Sequence, residues 1–411
     1  MVTACAILTA ISIGILLWQW VSGRKFRFLK SFHADKHPTP PGITIFKPLR
    51  GIDAHLEVTI DSFFHLNYPT DRVEILFGVK DASDPALNLV KTLAANHQNI
   101  QVQYIICPEQ AANNPKLSTL IQLQKHAQNE IYVLSDADVR VPPDILYLVV
   151  QELRNPETGL VFCPYAIVGD NSIPAILEKI GTNADFWAQA LLAHTIGKKS
   201  FAFGALIALK KTTLRKIGGF EQIGNFLADD YYLAKLVHDH GLKVKMLPMP
   251  VECFVSRQSL KHLWQHQLRW ARTIRSVQPI NYTLSILANT TFWAVLLGIT
   301  FQTTQALITA IAIITLRIFV ARDLATKLLR YIPSAIYPDH YCKPIGSNAN
   351  FINLDLVRCE LSWKNWFLVP LRDLLAVSIW ATSFLGNTVI WAGQKFKVGS
   401  KGVLHPIQTR S

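Results

Sequence analysis

Short apolar runs alternate with amphipathic stretches from Pro40 onward, and this alternation predicts a globular part of the chain. The apolar runs predict buried strands at Ile43–Lys47, Val73–Val79, Ile100–Ile106, Ile131–Leu134 and Leu160–Pro164. The stretches of helical spacing between them predict helices around His55–Leu66, Pro85–Asn96, Lys116–Asn129 and Asp144–Leu153. Strand–helix alternation at this spacing is typical of a doubly wound, parallel α/β sheet.

Further elements follow this α/β region. Ile173–Ile196 has helical spacing and fits either an ordinary core helix or a helix lying at a membrane surface. Ala205–Lys210 predicts another strand, and Phe226–His240 predicts a helix. Ser259–Ser276 predicts an amphipathic, strongly cationic helix, which is typical of a membrane interface.

Longer apolar runs predict membrane segments. Val2–Val21 has no charged residue and is followed by basic ones, which predicts an uncleaved anchor whose C-terminal side faces the cytoplasm. Thr283–Thr300 and Ala306–Ala321 are each near the minimum spanning length and together predict a transmembrane hairpin. Trp366–Gly393 has basic residues on both sides, so the positive-inside rule predicts both of its ends in the cytoplasm, as in a re-entrant or interfacial helix. A transmembrane helix is the alternative.

The composition favours a membrane protein over a nucleic-acid-binding one. Half of the 411 residues are hydrophobic, and the formal net charge is +13 with neutral histidines. The basic residues adjoin the apolar runs and form no stripe interleaved with aromatic residues. This placement predicts an anionic lipid bilayer as a partner and no nucleic acid. The six cysteines include no CxxC pair, which predicts buried or free thiols in a reducing compartment.

Two aspartates follow one of the predicted strands directly. Asp136 and Asp138 come after Ile131–Leu134, at the carboxyl edge of the sheet, where open α/β sheets bind ligands. Their oxygens suit Mg²⁺ or Mn²⁺, provided that the backbone turns after the strand. The plainer interpretation is a solvated strand end at Asp136 and a helix cap at Asp138.

Other candidate site residues follow along the chain. Asp81 comes at the end of the second predicted strand and so lies at the same carboxyl edge. Asp229 and Asp230 lie in the first turn of a predicted helix, whose positive end stabilises carboxylates. Arg269 and Trp270 lie in the cationic amphipathic helix. Simple helix-end charges and one more interfacial cation are the alternatives.

In this order, the motifs resemble the ceramide glucosyltransferase family, within the family 2/21-type, inverting, membrane-anchored glycosyltransferases. They are VKDASDPA, NNPKLSTL, SDADVRV, FLADDYYLAK and HQLRWARTIR. The resemblance extends from the N-terminal anchor to WAGQKFKVGSKG, and HQLRWARTIR is most similar to the bacterial hopanoid glucosaminyltransferases. It implies a GT-A-type domain that binds a nucleotide-diphospho-sugar on a mostly parallel sheet, with transmembrane and interfacial helices added.

The resemblance also implies how the donor is bound. Asp81 would contact the uridine of a UDP-sugar. Lys116 and Asp136 would also bind the nucleotide sugar. Arg269 would offer a guanidinium fork to the diphosphate oxygens, and Trp270 would supply a flat packing surface beside it.

The remaining implied roles concern the metal and the transfer step. Asp136 and Asp138 would hold Mn²⁺ or Mg²⁺ against the diphosphate. Asp230 would be the general base that takes the proton from the acceptor hydroxyl. Asp229 and His266 would position the acceptor or the diphosphate.

Two positions depart from the related sequences. The processive polysaccharide synthases have Gln at the first place of their Q-x-x-R-W motif, where this chain has His266. The family usually has Glu where Asp229 stands. The first departure argues against polymer synthesis, and the second preserves the negative charge.

The resulting prediction is a bacterial inner-membrane enzyme with its catalytic domain in the cytoplasm. It would transfer glucose or N-acetylglucosamine, with inversion, from a UDP-sugar to the hydroxyl of a membrane lipid of the ceramide or hopanoid type. A processive polysaccharide synthase and a non-catalytic membrane scaffold are the alternatives. The predicted segments are an N-terminal transmembrane anchor (1–23), the catalytic domain (24–258), an interfacial helix (259–281), a transmembrane hairpin (282–321), a cytoplasmic connection (322–365), a re-entrant or transmembrane helix (366–393) and a basic cytoplasmic tail (394–411).

Overall fold

Strands and helices alternate through the first two thirds of the chain. The computed structural model describes residues 2–29, 39–331 and 361–407. The strands of this region are β1 (Ile43–Pro48), β2 (Val73–Val79), β3 (Gln101–Ile106), β4 (Ile131–Ser135), β5 (Val139–Arg140), β6 (Thr158–Phe162), β7 (Tyr165–Gly169), β8 (Leu206–Lys210), β9 (Lys243–Met246) and β10 (Val251–Val255). Its helices are α1 (Val2–Lys25), α2 (Leu56–Phe64), α3 (Pro85–Ala95), α4 (Pro115–Gln124), α5 (Ile145–Arg154), α6 (Ile173–Ile180), α7 (Trp187–Thr195), α8 (Lys211–Lys216) and α9 (Asp229–Asp239).

Seven strands form one sheet in the order β3-β2-β1-β4-β8-β6-β9. Only β8 among these seven runs against its neighbours, because it pairs antiparallel with both β4 and β6. The parallel strands β2, β1 and β4 therefore end at the same edge, which brings Asp81 and Asp136 to that edge. The prediction of an α/β fold with a mostly parallel sheet is confirmed.

The loops at this edge are fixed by helix caps. The Asp84 side chain caps α3 by accepting a hydrogen bond from the Ala86 N–H, and it also accepts one from the Gly51 N–H at 2.9 Å. The Asn114 side chain caps α4 by accepting from the Leu117 N–H. A proline follows each cap at the first helical position, where the missing N–H has no cost.

A second sheet, which the sequence analysis did not predict, lies beside the main one in the order β5-β10-β7. Its strand β5 begins one residue after Asp138, and the Asp138 carbonyl accepts a hydrogen bond from the Phe254 N–H at 2.9 Å. The buried side chains of Arg140 and Glu252 form an ion pair between β5 and β10, with Nη2 2.9 Å from Oε1. This pairing turns the backbone directly after Asp138.

The C-terminal third contains the helices α10 (Leu260–Val277), α11 (Pro279–Leu284), α12 (Thr290–Phe301), α13 (Thr304–Leu329) and α14 (Val369–Ser383). By length and composition, α1 and α13 could each cross a membrane. A third crossing is possible if Pro279–Ala288 and α12, which meet at a bend of 57°, form one broken span. The predicted turn between the two arms of the hairpin lies at the break between α12 and α13. Gln302 ends α12 there in a left-handed conformation with φ 49°.

The helix α13 continues to Leu329, past the predicted end of the hairpin at residue 321. The first part of the predicted connection 322–365 is therefore helical. Residues 332–360 of that connection lie outside the described part of the chain. Ile173–Ile196 is divided by a π-helical segment, Gly181–Phe186. Its Ile180 and Ala184 are buried against Ala321 of α13, so an inner packing role describes it better than a surface one.

The prediction of one helix over residues 366–393, followed by a basic tail at 394–411, is wrong in its secondary structure. Helix α14 ends at Ser383, and a meander follows with strands β11 (Thr388–Trp391), β12 (Gln394–Val398) and β13 (Leu404–Pro406). The β-branched run at Thr388–Ile390 favours a strand, and the left-handed Gly393 closes a tight hairpin. The meander joins the α/β domain, since the Leu227 N–H donates to the Gly402 carbonyl and the Leu404 N–H to the Asn225 carbonyl, at 2.9 and 2.7 Å.

Candidate functional site

A lysine and three aspartates form the centre of the candidate site. Lys116 extends from the first turn of α4, and its Nζ lies 2.5 Å from Asp136 Oδ1 and 3.5 Å from Asp229 Oδ2. Burial disfavours the lysine charge, but Asp136 and Asp229 outweigh this effect and raise the pKa of Lys116. Asp230 completes the group from the N-terminus of α9. Three parts of the chain thus meet at one point: the loop after β4, the first turn of α4 and the start of α9.

The backbone of Gly204, which the sequence analysis did not single out, lies at this meeting point. A Cβ atom added there would lie 3.3 Å from Lys116 Nζ, 3.5 Å from Asp136 Oδ2 and 3.6 Å from Asp230 Oδ2. Three functional groups therefore point to a space that a larger side chain would occupy. The signal in the sequence is a glycine between the aromatic segment 201–203 and the strand β8, and it is too common to identify a site.

Asp230 has the properties of a proton acceptor near neutral pH. Burial raises its pKa to about 7, Asp229 adds to the increase, and Lys116 opposes it. Its Oδ1 accepts a hydrogen bond from the Tyr231 N–H at 2.7 Å, which leaves Oδ2 on the side of Gly204. The carboxylate is thus oriented, and it is basic enough to remove a proton from a bound hydroxyl.

Asp138 lies deeper than Asp136 and beside a lysine that the sequence analysis missed. Burial raises the pKa of Asp138 to about 7, with a further contribution from Asp136, while Lys47 opposes the increase. Lys47 is fully buried on β1, and its Nζ donates to the Asp136 carbonyl at 2.5 Å. Burial lowers the pKa of Lys47 to about 7. The signal for Lys47 in the sequence is a charged residue inside the apolar strand ITIFKP.

The aspartate pair fits a divalent cation. Hard carboxylate oxygens are the donors that Mg²⁺ and Mn²⁺ prefer. The charge of Asp136 makes ionisation of the buried Asp138 less favourable, and a cation beside both would reverse this effect.

The helix α10 brings its candidate residues to different positions. Burial lowers the pKa of Arg269, and Asp229 and Asp136 oppose this change, so the guanidinium faces the aspartate cluster. Its Cζ lies 5.6 Å from the ring centre of Trp391 in the C-terminal meander. His266 instead contacts Glu178 of α6, with 2.8 Å between Nδ1 and Oε1.

Asp81 is the most exposed of the predicted site residues. The N–H and the hydroxyl of Ser83 both donate to its Oδ1, each at 2.8 Å. The backbone hydrogen bond from Ser83 lowers its pKa and keeps it ionised. Asp81 follows β2, whereas Asp136 follows β4, which is two strands away in the sheet. Asp81 therefore lies outside the cluster around Gly204.

Trp270 lies at the wall of a cavity of about 390 Å³ between the α/β domain and the helices of the candidate membrane region, which include α1 and α13. The ring of Trp270 packs edge-on against His266, with the ring centres 4.7 Å apart. The other walls come from α1, α13, α14 and the π-helical segment, and they include Leu16, Gln19, Val320, Leu324, Arg372 and Asp373. Arg317 of α13 forms ion pairs with Asp373, at 2.9 Å, and with Asp185. The cavity therefore has both apolar and polar walls.

Comparisons with known proteins agree with the resemblance seen in the sequence. The model of the glycosyl transferase family 21 matches residues 4–404. The chain is 26% identical over 215 residues to ceramide glucosyltransferase 1 of Caenorhabditis elegans, which is 52% of this chain and 45% of that protein. It is 22% identical over 237 residues to the probable glycosyltransferase YdaM of Bacillus subtilis, which is 56% of this chain and 55% of that protein. The chain thus spans about half the length of these curated relatives.

Among solved structures, the chain is similar to the mannosyltransferase from Pyrobaculum calidifontis in complex with GDP-Man and Mn²⁺. It is 19% identical, has a TM-score of 0.48 and covers 92% of this chain and 98% of its own.

Proposed function

Because the chain belongs to the glycosyl transferase family 21, we propose that it moves a hexose or an N-acetylhexosamine from a UDP-sugar to the hydroxyl of a membrane lipid, with inversion. The observation that supports this proposal most is the convergence of Lys116, Asp136 and Asp230 on the space in front of Gly204. A cation, a carboxylate for metal binding and a carboxylate for proton transfer are the groups that such a reaction needs.

The donor would bind at the carboxyl edge of the main sheet. Asp81 would accept hydrogen bonds from the uridine, and Lys116 and Arg269 would bind the diphosphate oxygens. Asp136 and Asp138 would hold Mg²⁺ or Mn²⁺, which when bound would neutralise the charge on the leaving diphosphate.

The acceptor would be activated by Asp230, which lies in the same cluster in front of Gly204. Asp230 Oδ2 would take the proton of the acceptor hydroxyl. The hydroxyl oxygen would attack the anomeric carbon as the bond from this carbon to the diphosphate oxygen breaks. Attack from the face opposite the diphosphate inverts that carbon. Asp229 remains bound to Lys116 and would keep this lysine directed at the diphosphate.

The cavity beside Trp270 supports a lipid acceptor. Part of its wall comes from α1 and α13, which could each cross a membrane, and its volume of about 390 Å³ is sufficient for a lipid headgroup with the first part of its chains. The lipid hydroxyl would reach the aspartate cluster past Trp270, which lies one residue from Arg269.

The test uses the full-length chain in lipid nanodiscs with UDP-glucose, UDP-N-acetylglucosamine or GDP-mannose. We expect UDP release that depends on added ceramide-, hopanoid- or diacylglycerol-type lipid, and a glycolipid product in mass spectrometry. A chelator should stop the reaction, and Mn²⁺ or Mg²⁺ should restore it. A polymer instead of a glycolipid would favour the synthase, and no turnover with any donor–lipid pair would favour the scaffold.

A further inference from the structure

A cationic pocket of about 270 Å³ lies between α10 and the C-terminal meander, apart from the aspartate cluster and from the lipid-sized cavity. Arg272, Arg275 and Lys397 line it together with neutral residues. None of the described residues that line the pocket is acidic, and none of its three cations has an ion pair with another described residue.

Two backbone carbonyls, together with the Asn387 side-chain oxygen that accepts from Arg275, hold the two arginines in position without neutralising them. Arg272 Nη1 donates to the Thr388 carbonyl, and Arg275 Nη2 donates to the Gly386 carbonyl at 3.0 Å. Arg272 Nε is shut off from solvent and has no hydrogen-bond partner among the described residues. Burial and the neighbouring charge of Arg275 lower the pKa of Arg272, so an anion between the two would relieve an existing repulsion.

An exposed apolar tip adjoins the pocket at the end of α14. Leu385 is 85% exposed, and Phe384 is 42% exposed with its ring centre 5.4 Å from Arg275 Cζ. Ile390 of β11 is 46% exposed. Apolar side chains beside unpaired cations are the arrangement with which proteins bind the interface of an anionic bilayer.

We propose that this pocket binds the phosphate headgroup of an anionic membrane lipid while Phe384 and Leu385 insert among its acyl chains. The pocket would then anchor the meander, and through it the α/β domain, at the bilayer surface. The proposal does not depend on the proposed transfer reaction, because neither the aspartate cluster nor the acceptor cavity contributes a residue to it.

The experiment measures binding of short-chain phosphatidylglycerol and phosphatidylcholine to the full-length chain in neutral detergent, by native mass spectrometry and thermophoresis. The test variant is Lys397→Ala, which removes an exposed side chain. The matched control is Lys395→Ala, which removes the same charge from the same strand at a position that does not line the pocket.

We expect phosphatidylglycerol to bind at least tenfold more tightly than phosphatidylcholine. Lys397→Ala should weaken binding of phosphatidylglycerol about fivefold, which is the worth of one lysine beside an anionic surface. Lys395→Ala should leave it within twofold. Equal affinity for the two lipids, or equal effects of the two variants, would overturn the proposal. Complete displacement of the lipid by inorganic phosphate or by UDP would also overturn it, because the pocket would then serve a soluble phosphate.

Discussion

At the scale of single residues, the two adjacent aspartates of α9 differ in what surrounds them. Asp229 Oδ2 lies 3.5 Å from Lys116 Nζ, whereas Asp230 Oδ2 faces the space in front of Gly204. Consecutive residues of a helix point about 100° apart, so the two carboxylates cannot perform the same task equally well. The geometry thus supports Asp230 as the base and Asp229 as the residue that positions the lysine.

We therefore predict that Asp230→Asn lowers glycolipid formation by about 10²–10⁴-fold and leaves UDP affinity nearly unchanged. Asp229→Asn should be milder in rate, but it should weaken UDP binding because Lys116 loses a partner. Calorimetry with UDP and a transfer assay on both variants provide the comparison. An inactive Asp229→Asn beside an active Asp230→Asn would assign the base to the other residue.

The pH profile gives a second prediction at this scale. Burial raises the pKa of Asp230 from 3.8 to about 7, and only its ionised form can accept a proton. The transfer rate should therefore fall as the pH decreases through about 7, instead of through the usual range of an aspartate near 4. The measurement is the rate at saturating donor between pH 5 and 9. A rate that stays constant down to pH 5 would contradict the assignment, and the residual rate of Asp230→Asn should lack this limb.

At the scale of elements, the position of the aspartate pair depends on the small second sheet. Strand β5 follows Asp138 at once and pairs with β10, and the Arg140–Glu252 ion pair fixes that pairing. Both side chains are buried, with 7% and 1% exposed. Arg140 and Glu252 are 112 residues apart in the chain, so the loop between β4 and β5 is held by the distant strand β10.

We predict that Glu252→Gln destabilises the α/β domain by about 3–5 kcal/mol, because it removes one charge of a buried ion pair. Denaturant unfolding in detergent, followed by tryptophan fluorescence, measures the change. Glu157→Gln is the control, because it breaks an ion pair with Lys243 at the surface. The Glu157 side chain is 62% exposed and the Lys243 side chain 59% exposed. This variant should have no measurable effect. Equal effects of the two variants would show that the buried pair does not hold the loop.

At the scale of the whole molecule, the candidate membrane helices α1 and α13 define two ends of the membrane region. The C-terminal ends of α1 and α13 lie together, because Arg24 Nη1 is 2.9 Å from Asp323 Oδ2 and Lys327 Nζ donates to the Gly23 carbonyl. The break between α12 and α13 at Gln302 lies at the other end of α13. The meander joins the α/β domain. Because basic residues lie at the end of α1, we predict from the positive-inside rule that this end and the α/β domain face the cytoplasm.

Cysteine labelling of intact cells tests this orientation. Gln302→Cys should react with a membrane-impermeant maleimide from outside, and Ser400→Cys only after the membrane is opened. The described native cysteines, Cys5, Cys107, Cys163 and Cys253, are buried, so replacing Cys342 and Cys359 by serine should give a low background. Outside labelling of Ser400→Cys with protection of Gln302→Cys would reverse the topology.

The sequence by itself determined the elements whose signal is local. Short apolar runs predicted six of the seven strands of the main sheet, all except β9, because strands buried on both faces are continuously apolar. Helical spacing predicted the helices α2 to α5 between them, because burial of one helix face imposes that period. Strand ends and first helical turns predicted Asp136, Asp138 and Asp230 as candidates, since polar groups at those places face a sheet edge whatever the rest of the chain does. The family resemblance rested on the same short stretches.

The tertiary structure decided what depends on distant parts of the chain. Gly204 and Lys47 join the site only because β8 and β1 lie on either side of β4 in the sheet, and strand order is not written in any local period. The apolar run after residue 366 is long enough for a membrane helix, yet Phe396 and Val389 are buried with Leu227 of the α/β domain. Packing against that distant side chain stabilises a meander where composition alone indicated a helix and a tail.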